Sequence, residues 1–306
     1  MRIFVLLCLI SLALSAKSIT PNEVFSEVAL IHDEIHYLLK HYGVKHDHKK
    51  IIMDTKIDAK VKPRNVWQKS YEILVKINML RVSHHLSRIE PVGMEPVIYL
   101  NPDMTYEQTQ RILTEIRIFK TRMGIKNLPY KHQTFKNKTP QDVFNELSHI
   151  SASFDELNKT EFSHSYVFSE TMRIYNDLSS ILQHIKIKDN TIPSKRDPNA
   201  TPLHITHKIV KILDKIKYLQ RSVGIETVDF SAFFKANPTP SDVFTLTQMI
   251  LAELQTIKAY IGLTNYVTEA ALTYSNKSSV DVDQLMSWNL RKILLIESII
   301  GKNDEI

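Results

Sequence analysis

KTPQDVF, residues 138–144, returns as PTPSDVF at 238–244 and, in an earlier form, as ITPNEVF at 19–25. Thr139 suits a helix N-cap, where its side-chain oxygen accepts a free backbone N–H, and Pro140 suits the first helical position, which needs no donor. Asp142 then falls at the third helical position, facing the positive end of the helix dipole and able to reach back to the cap. Thr20-Pro21-Asn22-Glu23 and Thr239-Pro240-Ser241-Asp242 carry the same chemistry. The phrase starts helices, and no ligand is needed to explain it.

Apolar residues follow each cap in steps of three and four: Phe25, Val28, Ile31, Ile35, Leu38; then Phe144, Leu147, Ile150, Phe154, Leu157; then Phe244, Met249, Ile250, Leu254, Ile257. Each set lines one face of a helix. Glycine marks the other ends. Of six glycines, five close an amphipathic run (Gly43, Gly124, Gly224, Gly262, Gly301), and the first four are each followed by an apolar residue that can pack back on the last turn.

Comparing the chain with itself exposes a repeat. An offset of 219 lays Phe25 on Phe244, Gly43 on Gly262, Trp67 on Met286, Leu74 on Ile293 and Ile77 on Ile296. An offset of 100 lays Pro102 on Pro202, Ile112 on Ile212, Gly124 on Gly224 and Thr139 on Thr239. In the middle unit the first helix matches at 119 and the second at 101, so the loop between them is 18 residues shorter there.

The sequence therefore predicts an all-α fold of tandem three-helix units, about two and two-thirds of them, in eight long helices: 21–42, 64–87, 105–123, 140–158, 165–186, 203–223, 240–261 and 282–300. The units run 17–130, 131–230 and, in part, 231–306, stacked as a solenoid or folded as pseudo-symmetric helical bundles. The last unit lacks its third helix, which would leave an apolar face on 282–300 for self-association to cover. Proline-rich connectors, 89–103 and 186–198, precede the third helices.

Residues 1–16, MRIFVLLCLISLALSA, read as a secretory signal peptide, with Arg2 ahead of a short apolar run and small residues that suit cleavage after Ser15 or Ala16. The only cysteine, Cys8, lies inside it. A mature chain without cysteine has no disulfide, thiol nucleophile or cysteine-bound metal, and holds together by core packing. The expected location is periplasmic or secreted. The formal charge of +6 is spread along the chain, with Lys45–Lys50 its densest run, and an exported protein has little access to nucleic acid.

Thirteen histidines invite a metal hypothesis, strongest at HDEIH, where His32 and His36 share a helical face. A zinc-protease motif needs glutamate directly after the first histidine, yet Asp33 stands there, and the repeat places Ser151 and Asp155 or Leu251 and Gln255 at the matching positions. His84–His85 and His204/His207 make weaker pairs. Trp67, Trp288, Phe230, Phe233 and Phe234 suit a core, or the wall of a ligand groove. No nucleophile elbow, P-loop or dinucleotide motif is present, so no catalytic residue, metal ligand or cofactor is assigned. The leading expectation is a non-enzymatic exported module that binds a protein or envelope partner. A small-ligand sensor or carrier with a pocket between helices comes second, and a metalloenzyme built on His32 and His36 third.

Overall fold

The caps form as their chemistry dictates. Thr139 Oγ1 accepts from the Asp142 N–H at 3.2 Å while Asp142 Oδ2 accepts from the Thr139 N–H at 2.8 Å, and Thr239 with Asp242 repeats the exchange at 3.3 and 2.9 Å. The computed structural model of the chain describes residues 18–45, 53, 55–131 and 133–300; the expected signal peptide at 1–16, His46, His48 and Gly301 lie outside them. Eight α-helices stand among the described residues: α1 Pro21–His41, α2 Pro63–Ser83, α3 Pro102–Arg122, α4 Pro140–Asn158, α5 His164–His184, α6 Pro202–Ser222, α7 Pro240–Tyr260 and α8 Ser279–Ile300. Proline opens six of them.

Boundaries shift from the expected ones where a cap escaped notice. α3 starts at Pro102 because Asn101 accepts from the Asp103 N–H at 3.2 Å, and α8 at Ser279 because Asp281 accepts from Ser278 at 2.9 Å. α2 stops at Ser83, four residues short of the expected end, because His85 turns left-handed (φ 58°) and the Leu86 N–H closes on the Arg81 carbonyl at 2.8 Å. The glycine stops at Gly43, Gly124, Gly224 and Gly262 use the same closure, with φ between 65° and 80°.

Connector length sets direction. A 21-residue helix is about 31 Å long. The connectors within α1–α4 and within α5–α8 run 17 to 21 residues, and 17 residues reach about 56 Å when extended. Each can carry the chain back to the starting end. The turn between α4 and α5 has five residues, 159–163. Its reach of about 17 Å cannot span a helix, so there the chain reverses.

Two parallel four-helix bundles result. In the first, α1 packs on α3 and α4, and α2 packs on the same two. Pro21, Pro63, Pro102 and Pro140 meet around one small apolar void, so all four helices begin at the same end. In the second, α5 and α6 each pack on α7 and α8. Pairs such as Asp177–Lys258, Lys215–Glu297 and Gln220–Glu253 join similar depths of their helices, so this bundle is parallel too. Between bundles α2 crosses α7 in the opposite sense, Arg64 meeting Glu253 and Glu72 meeting Thr245. The helix contacts are thus those of paired bundles, not of a linear stack. α2 and α7, each with three helical neighbours, are buried nearly all round.

The repeat shows through the packing. Buried Glu34 of α1 pairs with Lys120 of α3 and with Arg117 at 2.9 Å. At the matching places Glu253 of α7 takes Gln220 of α6 at 2.6 Å. α6 therefore occupies, beside α7 and α8, the place that α3 occupies beside α1 and α2. This corrects the expectation of an open face: α5 and α6 cover α8, burying Val282, Met286, Ile293 and Ile296.

Connectors meet as well. Met94 and Thr268 exchange backbone hydrogen bonds at 3.0 and 2.9 Å, an isolated antiparallel bridge. Gly93, which ends no helix, lies so close that a Cβ would stand 2.7 Å from the Thr268 carbonyl oxygen.

Because Gln220 is neutral, the charge on Glu253 is met by Arg64 of the other bundle, through Nε at 2.9 Å and Nη2 at 2.8 Å with both side chains buried. Removing one member of such a pair strands the other. Arg64→Met is expected to lower the unfolding free energy by about 3–5 kcal/mol, measured by urea denaturation, and Arg64→Met with Glu253→Leu to recover most of it.

Candidate functional site

The five-residue turn folds Phe162 onto α7, its ring stacked 3.8 Å from Phe244 and its N–H donating to Ser241 Oγ at 3.1 Å. Docking the turn on the first turn of α7 leaves a cavity of about 290 Å³ where α2, α4, α7 and the 3-10 turn at Ser231–Phe233 converge. Lys69, Glu72 and Lys76 of α2 line one wall, Ser148, Ser151 and Asp155 of α4 another, and Ser241 and Thr245 of α7, with its cap Thr239, a third.

Its charges form a chain of contacts. Lys69 Nζ donates to Glu72 at 2.6 Å, and Ser151 Oγ donates to the same Glu72 oxygen at 2.5 Å. Thr245 donates to the other oxygen of Glu72 at 3.0 Å. Lys76 Nζ donates to Asp155 Oδ2 at 2.6 Å and to the Ser151 carbonyl at 3.0 Å, and lies 5.0 Å from the centre of the Phe162 ring. Asp155 Oδ1 has no hydrogen-bond partner.

Burial shapes the titration of these groups. Burial pushes the Lys69 ammonium down, more than Glu72 restores. Burial would raise Glu72, but Lys69 and Lys76 outweigh it and hold the carboxyl below its usual range, which makes Glu72 a poor base. Asp155 is pushed up to about 6 by burial, despite Lys76.

The second helix of the next unit carries opposite charges. At the offset of 101, Lys69, Glu72 and Lys76 match Glu170, Arg173 and Asp177. Arg173 donates to Glu170 at 2.6 Å, and Asp177 pairs with Lys258 of α7 at 3.1 Å and accepts from Thr268 at 2.7 Å. Beside them a cavity of about 330 Å³ opens between α5 and residues 265–274. The Arg173 guanidinium lies 4.4 Å from the Tyr71 ring centre, donates to the Glu269 carbonyl at 2.7 Å and keeps Nη2 unpaired.

The residues singled out from sequence lie elsewhere. His32 and His36 stack, ring centres 4.8 Å apart, and His32 Nδ1 is hydrogen-bonded to Glu146 of α4, whose other oxygen takes His149 at 3.3 Å. No group of three metal-ligating side chains stands together among the described residues. His84 packs 5.3 Å from the Phe119 ring, His85 ends α2, and His204 and His207 are exposed. Trp67, Phe230 and Phe233 are core residues, Phe233 also touching the junction cavity; Phe234 is partly buried, and Trp288 is half-buried and donates to Thr191 at 2.9 Å. Sequence reasoning missed Lys69, Glu72 and Lys76, whose signal was a sign inversion between repeats, and Asp155, which matches neutral Gln255 and gave none.

Glu146 ties α1 to α4. Burial would raise its carboxyl, but hydrogen bonds from His149 and His32 hold it at about 2. A carboxyl depressed on folding stabilises above its unfolded value near 4.5 and ceases to do so as pH falls towards 2. Glu146→Gln is therefore expected to cost about 1–3 kcal/mol at pH 6, with the gap from the unsubstituted chain closing between about pH 4.5 and 2 in urea titrations.

No protein-family model, no curated protein and no solved structure matches the chain.

Proposed function

We propose that the protein is an exported, non-enzymatic binding protein that holds a small polar ligand in the cavity between its bundles. The observation that carries this reading is the junction cavity itself, which is lined by buried ionic groups and hydroxyls from both bundles. Ligand sites are favoured where domains meet, and a volume of about 290 Å³ suits a small molecule. The hydroxyls are committed to the scaffold, Ser148 to the Phe144 carbonyl at 2.9 Å and Ser151 to Glu72, which suits holding a ligand more than attacking one. The leader at 1–16 supports a periplasmic or secreted location. The repeat boundaries near 131 and 231 then mark duplication, while the bundle boundary at 159–163 marks where the site arose.

A protein or envelope partner on the outer surface is the second reading. It is favoured by exposed Ile118 of α3 and Tyr218 of α6, which hold matching places in the repeat at 40% and 47% exposure.

A thermal-shift screen of small polar metabolites tests the first reading. A ligand at about a hundred times its dissociation constant stabilises by about 2.7 kcal/mol, which for a chain of this size raises Tm by about 4 °C. Ala152→Leu, which fills the cavity from α4, is expected to abolish the shift. If no compound shifts the melt, or if the shift survives Ala152→Leu, the reading fails. Ile118→Asp is expected to leave the shift intact and to abolish crosslinking to any surface partner in native envelope extracts.

A further inference from the structure

The charges lining the junction cavity balance: Lys56, Lys69, Lys76 and Lys235 face Glu72, Asp155, Glu161 and Asp242. An ion of one sign entering such a site meets as much repulsion as attraction, whereas a ligand carrying both signs can meet each at its complement. Two groups retain hydrogen-bonding capacity. Lys69 has three N–H donors, of which one is used well, on Glu72 at 2.6 Å, and one poorly, on Thr245 at 3.5 Å. Asp155 Oδ1 accepts from nothing although it is covered from solvent, an unmet acceptor at the cavity wall. Lys76, by contrast, is committed to Asp155, the Ser151 carbonyl and the Phe162 ring. The spare cation lies on α2 and the spare anion on α4, on different walls, with Phe233 and Leu246 supplying apolar surface.

We infer that the ligand is a small zwitterion of the α-amino acid type, its carboxylate received by Lys69 and its ammonium by Asp155. This rests on the junction cavity being the ligand site. Asp155 then serves two cations, Lys76 and the ligand, which a carboxylate with four lone-pair positions accommodates once a small rotation of the side chain uncovers Oδ1. Lys69 bridges Glu72 and the incoming carboxylate in the same way, so neither end of the ligand has to break an existing ion pair.

The test is isothermal titration of the full chain with the common free L-amino acids, followed, for each that binds, by the amine lacking its carboxylate and the acid lacking its ammonium. The amino acid is expected to bind about 30-fold or more tighter than either fragment, the loss of one buried charge contact. Asp155→Asn is expected to weaken the amino acid by at least about tenfold while leaving the acid fragment unchanged, and Lys69→Gln to weaken the amino acid and the acid fragment but not the amine. Should either variant fail to fold by circular dichroism, the fragment comparison on the unsubstituted chain decides. Equal affinity for the amino acid and one fragment overturns the zwitterion. So does a neutral or singly charged metabolite whose binding is lost in Ala152→Leu, with no amino acid bound. If nothing in the wider metabolite screen binds, the junction cavity as a ligand site falls with it.

Discussion

A carboxylate shut away from water has to be neutralised from within, and Glu253 finds its cation on the neighbouring bundle. The copy of this residue in the first bundle, Glu34, is served locally by Lys120 and Arg117. Where the repeat puts Gln220 in place of Lys120, the second carboxylate is left one charge short, and Arg64 enters from α2 with a bidentate grip. A bidentate guanidinium fixes orientation as well as distance. The crossing of α2 and α7, and with it the walls of the junction cavity, depends on that geometry.

Parallel helices carry an electrostatic burden, because their dipoles add at each end. The sequence offsets it with acids in first turns, Glu23, Asp103, Asp142, Asp242 and Asp281, and bases in last turns, among them Lys40, Arg81, Arg122 and Arg221. Setting the two bundles head to tail across α2 and α7 offsets it further. The five-residue turn that permits this also brings Phe162 to the mouth of α7, so the reversal of the chain and the making of the cavity are one event.

Most of the fold was legible because its signals are local. Threonine–proline caps and glycine stops act within a few residues, and they placed most helix ends to within one to three residues. Pairing was not legible, since an offset says which helices are alike and not which ones touch. The deficit of 18 residues at 159–163 was visible, but its meaning emerges only when connector reach is set against helix length. The candidate site was hidden for a related reason. Lys69, Glu72 and Lys76 sit on what looks like the wet side of α2, opposite Trp67, Tyr71 and Leu74, and it takes α4 and α7 together to turn that side inward.

Long connectors bear also on how the chain reaches its native state. Of the pairs adjacent in sequence, α1 with α2, α3 with α4 and α5 with α6 make few or no contacts, and the joining ion pairs are far apart along the chain, Lys76 to Asp155 and Arg64 to Glu253 among them. No hairpin of helices is available as an early nucleus, so loop closure comes before most of the stabilising contacts. Such a topology collapses later than a bundle of helical hairpins would, since α1 finds no close helical partner until α3 has been made, and α5 none until α7.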